Sequence, residues 1–165
     1  ALRMGLIVGS SIGSDIKFDE QKVKAYKNFA NKIWNITRYV LTSTEGFNGE
    51  KPEKLNSGDQ VYVDEIKEMV KDVTKDMEEY RFYLAGEKLY HYVWHTFADK
   101  IIEESKDKLK SDDAAVVKSA QYTLLYLLRT SLKLLHPFMP FITEEIWENV
   151  KEKDENLLMV TSWPK

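Results

Sequence analysis

Over most of this chain the apolar residues recur every three or four positions, the repeat of a single helix face, with only four prolines and seven glycines to interrupt them. No stretch alternates apolar and polar residues as a half-buried strand would. These two facts predict an all-α fold, a helical bundle of about five helices. The clearest start is at Asp19, an N-cap for a helix from Glu20 to about Thr42 with the stripe Val23, Tyr26, Phe29, Ile33, Val40 and Leu41. Residues 43 to 58 hold Gly46, Gly49, Pro52 and Gly58 among polar side chains and read as a long loop.

A thinly hydrophobic helix from Asp59 to Glu78, with Ile66, Met69, Val70, Val73 and Met77 on one side, should lie at the surface. Two central helices follow. From about Arg81 to Ser105 the stripe is Phe82, Ala85, Leu89, Tyr92, Val93, Phe97 and Ile101, widened by Tyr83, Tyr90 and Trp94. From 112 to 135 the residues after Leu124 are apolar nearly all round and call for burial on several sides. Pro137 and Pro140 stop that helix. Thr143-Glu144-Glu145 then places acid in the first turn of a short helix to Val150, and the tail to Lys165 reads as irregular.

Several chemistries find no support. With no cysteine, disulfides, thiolate metal sites and cysteine nucleophiles are excluded. His91 and His95 have the i, i+4 spacing of a shared metal, but Tyr92 stands where a zincin needs Glu and no third ligand clusters nearby; no Glu-x-x-His pair suggests a di-iron bundle either. Gly5, Gly9 and Gly13 lack the Gly-Lys-Ser/Thr of a phosphate loop and instead suit close packing or the end of a short helix. A Gly-x-Ser-x-Gly elbow is missing, and so are a membrane-spanning run and a signal peptide, so a cytoplasmic protein without membrane contact, cofactor or metal is expected.

Charge is more informative. Lys17, Lys22, Lys24, Lys27, Lys32 and Arg38 against Asp19 and Glu20 give the first long helix and its lead-in a net +4, in a chain whose net charge is -3. A basic helix on an acidic body is an electrostatic footprint for phosphate, or else a solvated face. The same helix carries Asn28, Asn31 and Asn35, each costing roughly several tenths of a kcal/mol relative to alanine. With Lys24 and Arg38 they form one stripe opposite much of the apolar one. Amides and a guanidinium read base edges, lysines meet phosphates and an exposed ring such as Tyr39 can stack on an unpaired base, the chemistry of single-stranded RNA recognition. The competing reading is that the asparagines cap helix ends or bond across the bundle.

Particular segments resemble a known family. Gly13-Ser-Asp15-Ile16-Lys17-Phe18-Asp19, and Asn28-Phe29-Ala30-Asn31-Lys32-Ile33-Trp34-Asn35-Ile36-Thr37-Arg38-Tyr39-Val40-Leu41, are similar to the segment of valyl-tRNA synthetases that links the catalytic domain to the anticodon-binding domain and begins the latter. Ala1-Leu2-Arg3-Met4 resembles a stretch shortly after the Lys-Met-Ser-Lys-Ser signature of that family, and Trp94-His95-Thr96-Phe97-Ala98-Asp99 its Trp-x-x-Phe-x-Asp helix. Leu134 to Trp147, containing His136-Pro137-Phe138-Met139-Pro140, matches a signature shared with isoleucyl and leucyl relatives and reads as a fixed corner between helices.

The resemblance implies the anticodon-arm domain of an enzyme that joins valine to tRNA(Val) using ATP with magnesium, its partners being the anticodon arm and the catalytic and editing domains of a longer parent chain. It divides the chain into the end of a linking segment (1–18), an anticodon-binding bundle (19–150) and a tail (151–165) leading towards a coiled coil. Neither nucleotide-binding motif of the catalytic domain occurs here, so this fragment alone is expected to be non-catalytic. Carried over residue by residue, the anticodon-facing positions are Lys32, Arg38 and Tyr39, with Asn31, Asn35, Lys22 and Lys24 beside them. Trp34 is expected to support the core. Tyr39 stands where relatives often have Phe, and Gln21 where some have Arg, with the charge one residue later at Lys22. The alternatives are a helical protein–protein interaction module, or the equivalent domain of an isoleucyl or leucyl enzyme.

Overall fold

In the computed structural model, which describes residues 1–9, 13, 18–152 and 155–165, all regular structure is helical. Asp15, Ile16 and Lys17, part of the valine-like lead-in, lie outside the described residues. The helices are α1 (Leu2–Ile7), α2 (Glu20–Ser43), α3 (Ser57–Glu78), α4 (Phe82–His91), a π-helical stretch (Tyr92–Ile101) running into α5 (Ile102–Lys108), α6 (Ala114–Leu135) and α7 (Pro140–Val150), followed by a 3-10 turn (Leu158–Val160). Because α4, the π stretch and α5 form one continuous rod, the described residues make five substantial rods and the short α1.

Side-chain caps set the starts of the long helices. Asp19 accepts a hydrogen bond from the Gln21 amide at 2.8 Å, Asn56 from Gly58 at 3.1 Å and Asp113 from Ala115 at 2.8 Å. The third helix therefore begins at Ser57, two residues before the expected Asp59. Asp59 is buried instead, accepting from Lys108 Nζ at 2.5 Å and Ser119 Oγ at 2.6 Å. α7 begins at Pro140, earlier than expected, because proline at the first helical position gives up only an amide that has no partner there. This moves Glu144 out of the first turn, where its carboxylate accepts from the backbone amides of Leu158 (2.6 Å) and Met159 (3.2 Å) and ties down the tail. The tail is held again by Trp163, whose indole donates to Thr74 Oγ1 at 2.7 Å.

α6 is the centre of the bundle. Leu124, Leu127, Leu128, Leu132, Leu134 and Leu135 are all buried, and α6 packs on α2, α3, α4, α5 and α7. α3 is less superficial than its composition suggests: Tyr62, Val63, Ile66, Val70 and Val73 are buried against α4 and α6, leaving only its opposite face in water. Along the π stretch the Ile102 amide bonds back to the Phe97 carbonyl, five residues away, and the buried pairs Tyr92/Val93 and Phe97/Ala98 share that spacing. A 3.6-residue repeat does not foresee this widening. The loop between α2 and α3 is fastened to α6 at both ends, by Gln121 Nε2 donating to the Ser43 carbonyl (2.9 Å) and by the Asn56 amide donating to Ser119 Oγ (2.8 Å).

The glycines near the N-terminus serve packing and helix termination. A Cβ at Gly5 would sit 3.2 Å from Val23 Cγ2, so α1 lies tightly on α2, and Gly9 takes a positive φ of 75° just beyond the end of α1. Gly86 in α4 is tighter: a Cβ there would come within 2.5 Å of Val8 Cγ2 and 3.3 Å of Phe138 Cε1. Gly86→Ala is expected to destabilise the fold by about 1–3 kcal/mol through overpacking, read as a lower urea midpoint at unchanged slope.

Asp76, buried at the C-terminal end of α3, pairs with Arg81 at 2.8 Å and Lys88 at 2.7 Å. Burial alone would raise its pKa, but the hydrogen bonds from Lys88 and Arg81 prevail and hold the carboxylate below its ordinary value. A depressed carboxylate stabilises the fold above its unfolded-state pKa and loses that contribution as pH falls through the folded one. Urea titrations between neutral pH and about pH 3 should therefore show a fall in stability that is smaller in Asp76→Asn.

Candidate nucleic-acid interface on α2

α2 buries Tyr26, Phe29, Ile33, Ile36, Thr37 and Val40 and turns its other side to solvent. That side exposes Lys24, Lys27, Asn28, Asn31, Trp34, Asn35 and Arg38. At 3.6 residues per turn these positions share one arc of the helix. Among the described residues, Lys24, Lys27 and Arg38 have no ion-pair partner, and the amides of Asn28, Asn31 and Asn35 cap no helix and bond to no neighbour. The side chains that the capping interpretation would have consumed are thus presented outward.

The expected site residues divide into two groups. Lys24, Asn31, Asn35 and Arg38 are exposed on this arc. Lys22, Lys32 and Tyr39 are half-buried and already engaged. Lys22 Nζ donates to the Val8 carbonyl near the end of α1, bracing α1 against α2. Lys32 pairs with Asp99 of the π stretch at 2.8 Å and lies 5.5 Å over the Trp94 ring, marking the edge of the arc. The hydrogen bond from Lys32 holds the Asp99 carboxylate below its ordinary pKa, with His95 Nδ1 a further 3.5 Å neighbour.

Tyr39 is not the exposed stacking ring that the sequence suggests; its ring packs on the core and its hydroxyl meets Ser105 Oγ at 3.0 Å. Because Ser105 donates its own proton to the Ile102 carbonyl at 2.7 Å, the phenol is the donor to Ser105. Trp34, expected to support the core, is 41% exposed. The reason is angular: position 34 is three residues after Asn31 and four before Arg38, so it belongs to the polar arc. Its indole is the large ring on this face. The helical wheel carries this signal, which the habit of burying tryptophan obscures.

The other chemistry-bearing residues form no second centre. The His91 and His95 rings lie with centroids 5.0 Å apart and their planes tilted by 53°, and no grouping of three or more metal-ligating side chains occurs among the described residues. His136 Nδ1 lies 2.8 Å from Thr143 Oγ1 at the α6–α7 corner, where burial lowers its pKa. No helix among the described residues is long and apolar enough to cross a membrane.

Residues 59–165 match the sequence profile of the anticodon-binding domain of tRNA ligase. The chain belongs to this family. The matched region comprises α3 to α7 and the tail, so the scaffold of the anticodon-binding domain is covered while α2 lies before it. Similarity to individual proteins does extend over α2. The whole chain is 41% identical to a valine--tRNA ligase of Geobacillus stearothermophilus, 39% to one of Anoxybacillus flavithermus and 38% to one of Listeria innocua. In each case it spans 19% of the relative's length.

The Tyr39–Ser105 bond gives this anticodon-binding domain a test that separates architecture from recognition. Tyr39→Phe should lower stability by about 0.5–1.5 kcal/mol by removing one hydrogen bond, measured by thermal unfolding, while keeping the ring in place.

Proposed function

We propose that this chain is the anticodon-arm recognition domain of a valine–tRNA ligase, and that the exposed arc of α2 is its RNA-reading face. The observation that carries the proposal is the joint display of unpaired Lys24, Lys27 and Arg38 with Asn31, Asn35 and Trp34 on one helix side, within a chain similar along its whole length to valine--tRNA ligases. The net charge of -3 would by itself repel RNA, so a locally basic face is needed to attract it.

The chemistry follows from the side chains. Lys24, Lys27 and Arg38 approach backbone phosphates, which sets orientation and most of the salt-dependent affinity. The Asn31 and Asn35 amides each offer donors and an acceptor to the edges of unpaired bases, the part of recognition that carries sequence. Trp34 supplies a π surface for one base, an interaction worth about 1–3 kcal/mol in comparable settings. Lys32, Lys22 and Tyr39 hold the backbone of α2 in register against the π stretch, α1 and α5. Docking the anticodon arm here would orient tRNA(Val) towards catalytic and editing domains elsewhere in the parent polypeptide, where ATP and magnesium serve aminoacylation.

Filter binding with tRNA(Val) transcripts tests this. Arg38→Ala should weaken binding about tenfold and make the slope of log Kd against log salt shallower by about one unit, the signature of one phosphate no longer neutralised. Asn35→Ala should reduce discrimination between the native anticodon and an altered one more than it reduces affinity. Equal binding of unrelated tRNAs at moderate salt, or affinities unmoved by both substitutions, would contradict the proposal.

A further inference from the structure

The loop joining α2 to α3 and the first turns of α6 together line a cavity of about 450 Å³. Sites for small organic ligands run from roughly 300 to 1,000 Å³. The loop is built rather than slack. Gln121 and Ser119 of α6 fasten its two ends, Gly46 and Gly49 turn it with positive φ values of 76° and 79°, and Asn48 Oδ1 accepts from the Glu50 amide at 3.1 Å. Phe47 lines the cavity together with Pro52. Phe47 is half-buried, yet it belongs neither to the core nor to the apolar residues packed on it, and its ring meets no other aromatic ring among the described residues. From α6 the cavity receives Lys118 and Gln121. Gln121 uses its amide nitrogen on the Ser43 carbonyl, which leaves Oε1 as an acceptor without a donor among the described residues. Lys118 is exposed and has no ion-pair partner among them.

We infer that this cavity takes one unpaired nucleobase, with the face of the base against Phe47 and its edge read by Gln121 Oε1 and Lys118 Nζ. Charge selects a base over a bare anion: Lys51 and Lys118 in the lining are matched by Glu45 and Glu50, so the cavity offers no surplus of positive charge to a free phosphate or carboxylate. What it does offer is a π surface beside hydrogen-bonding groups, the pairing that suits a neutral heteroaromatic ring. An exocyclic amino group donates to Gln121 Oε1, while a ring nitrogen or carbonyl accepts from Lys118. For the source of the base the inference rests on the proposed RNA-reading role of α2, which it deepens. α2 ends at Ser43, five residues and about 8 Å beyond Arg38, and Glu45 of the cavity follows directly. Thr42, exposed one turn beyond Arg38, joins the two. An RNA loop held by its phosphates on the arc therefore has a further nucleotide within reach of Phe47.

The test is a scan of the anticodon stem–loop of tRNA(Val), made abasic at each unpaired position in turn, against this chain and its F47L and K118A variants. F47L keeps the apolar volume and removes the ring; since Phe47 lies outside the core, its urea midpoint should be unchanged. K118A alters an exposed position and serves as the second variant. The expected result is one loop position whose abasic form weakens binding to the unsubstituted chain about tenfold but weakens binding to F47L less than about twofold, since the stacking partner is already gone. K118A should reduce the same penalty to about threefold. Abasic penalties of equal size in all three proteins at every position would overturn the inference. Free nucleoside monophosphates at millimolar concentration, followed through the NMR signals of the Phe47 ring and the Gln121 side-chain amide, distinguish the source. Signals moved by the bound stem–loop support a base from RNA, whereas signals moved by free nucleotides and untouched by the bound stem–loop overturn RNA as the source. A stem–loop that does not bind at all defeats the RNA-reading role of α2 instead; the cavity is then decided by the free nucleotides, and unmoved Phe47 and Gln121 signals would defeat it as well.

Discussion

Burial of α6 on nearly every side is the constraint from which the rest of this structure follows. A helix carrying Leu124, Leu127, Leu128, Leu132, Leu134 and Leu135 cannot satisfy itself against one partner, and α2, α3, α4 and α7 each cover part of it. Full burial of one leucine is worth about 1.5–3 kcal/mol, so few alternative arrangements compete with enclosing this helix. Each surrounding helix then needs only one apolar face. For α2 this leaves a whole side uncommitted to packing, and the uncommitted side holds the polar arc.

The π stretch connects that packing to the candidate interface. Its wider turn sets Tyr92/Val93 and Phe97/Ala98 into the core while Trp94 and Asp99 meet Lys32 of α2. The Phe29 and Trp94 rings stack at 6.1 Å, and Tyr90 lies 4.8 Å from Phe29, so an aromatic layer separates the core from the edge on which Lys32 sits. Lys32, Tyr39 and Lys22 are best understood as the clamps of α2. They bind it to three different elements and thereby hold Asn31, Trp34, Asn35 and Arg38 at fixed positions relative to one another.

Helical periodicity is sufficient for the architecture, because the stripes on α2 and α6 are long and the capping residue of α2, Asp19, is explicit. It is insufficient where the local geometry departs from 3.6 residues per turn, as between Tyr92 and Ile101, and where tertiary partners decide a boundary. Asp59 reads as the start of a surface helix, yet Lys108 and Ser119, far along the sequence, draw it into the interior. The candidate site shows the same division. Exposure of Lys24, Asn31, Asn35 and Arg38 follows from their angle on the helix. The pairing of Lys32 with Asp99 and of Tyr39 with Ser105 depends on a rod much further along the chain, and no local pattern contains it. Trp34 is legible in principle, since its register places it among the asparagines, but residue type outweighs position in a reading by composition.

The central claim is that RNA docks on the outward arc of α2. Ultraviolet cross-linking of this chain to an anticodon stem–loop of tRNA(Val), followed by identification of the joined peptides, addresses it most directly. Cross-links are predicted to concentrate in the peptides spanning Lys24 to Arg38, with Trp34 prominent among the joined residues. Cross-links confined to the outer face of α3 or to α7, with the α2 peptides unmodified, would contradict it.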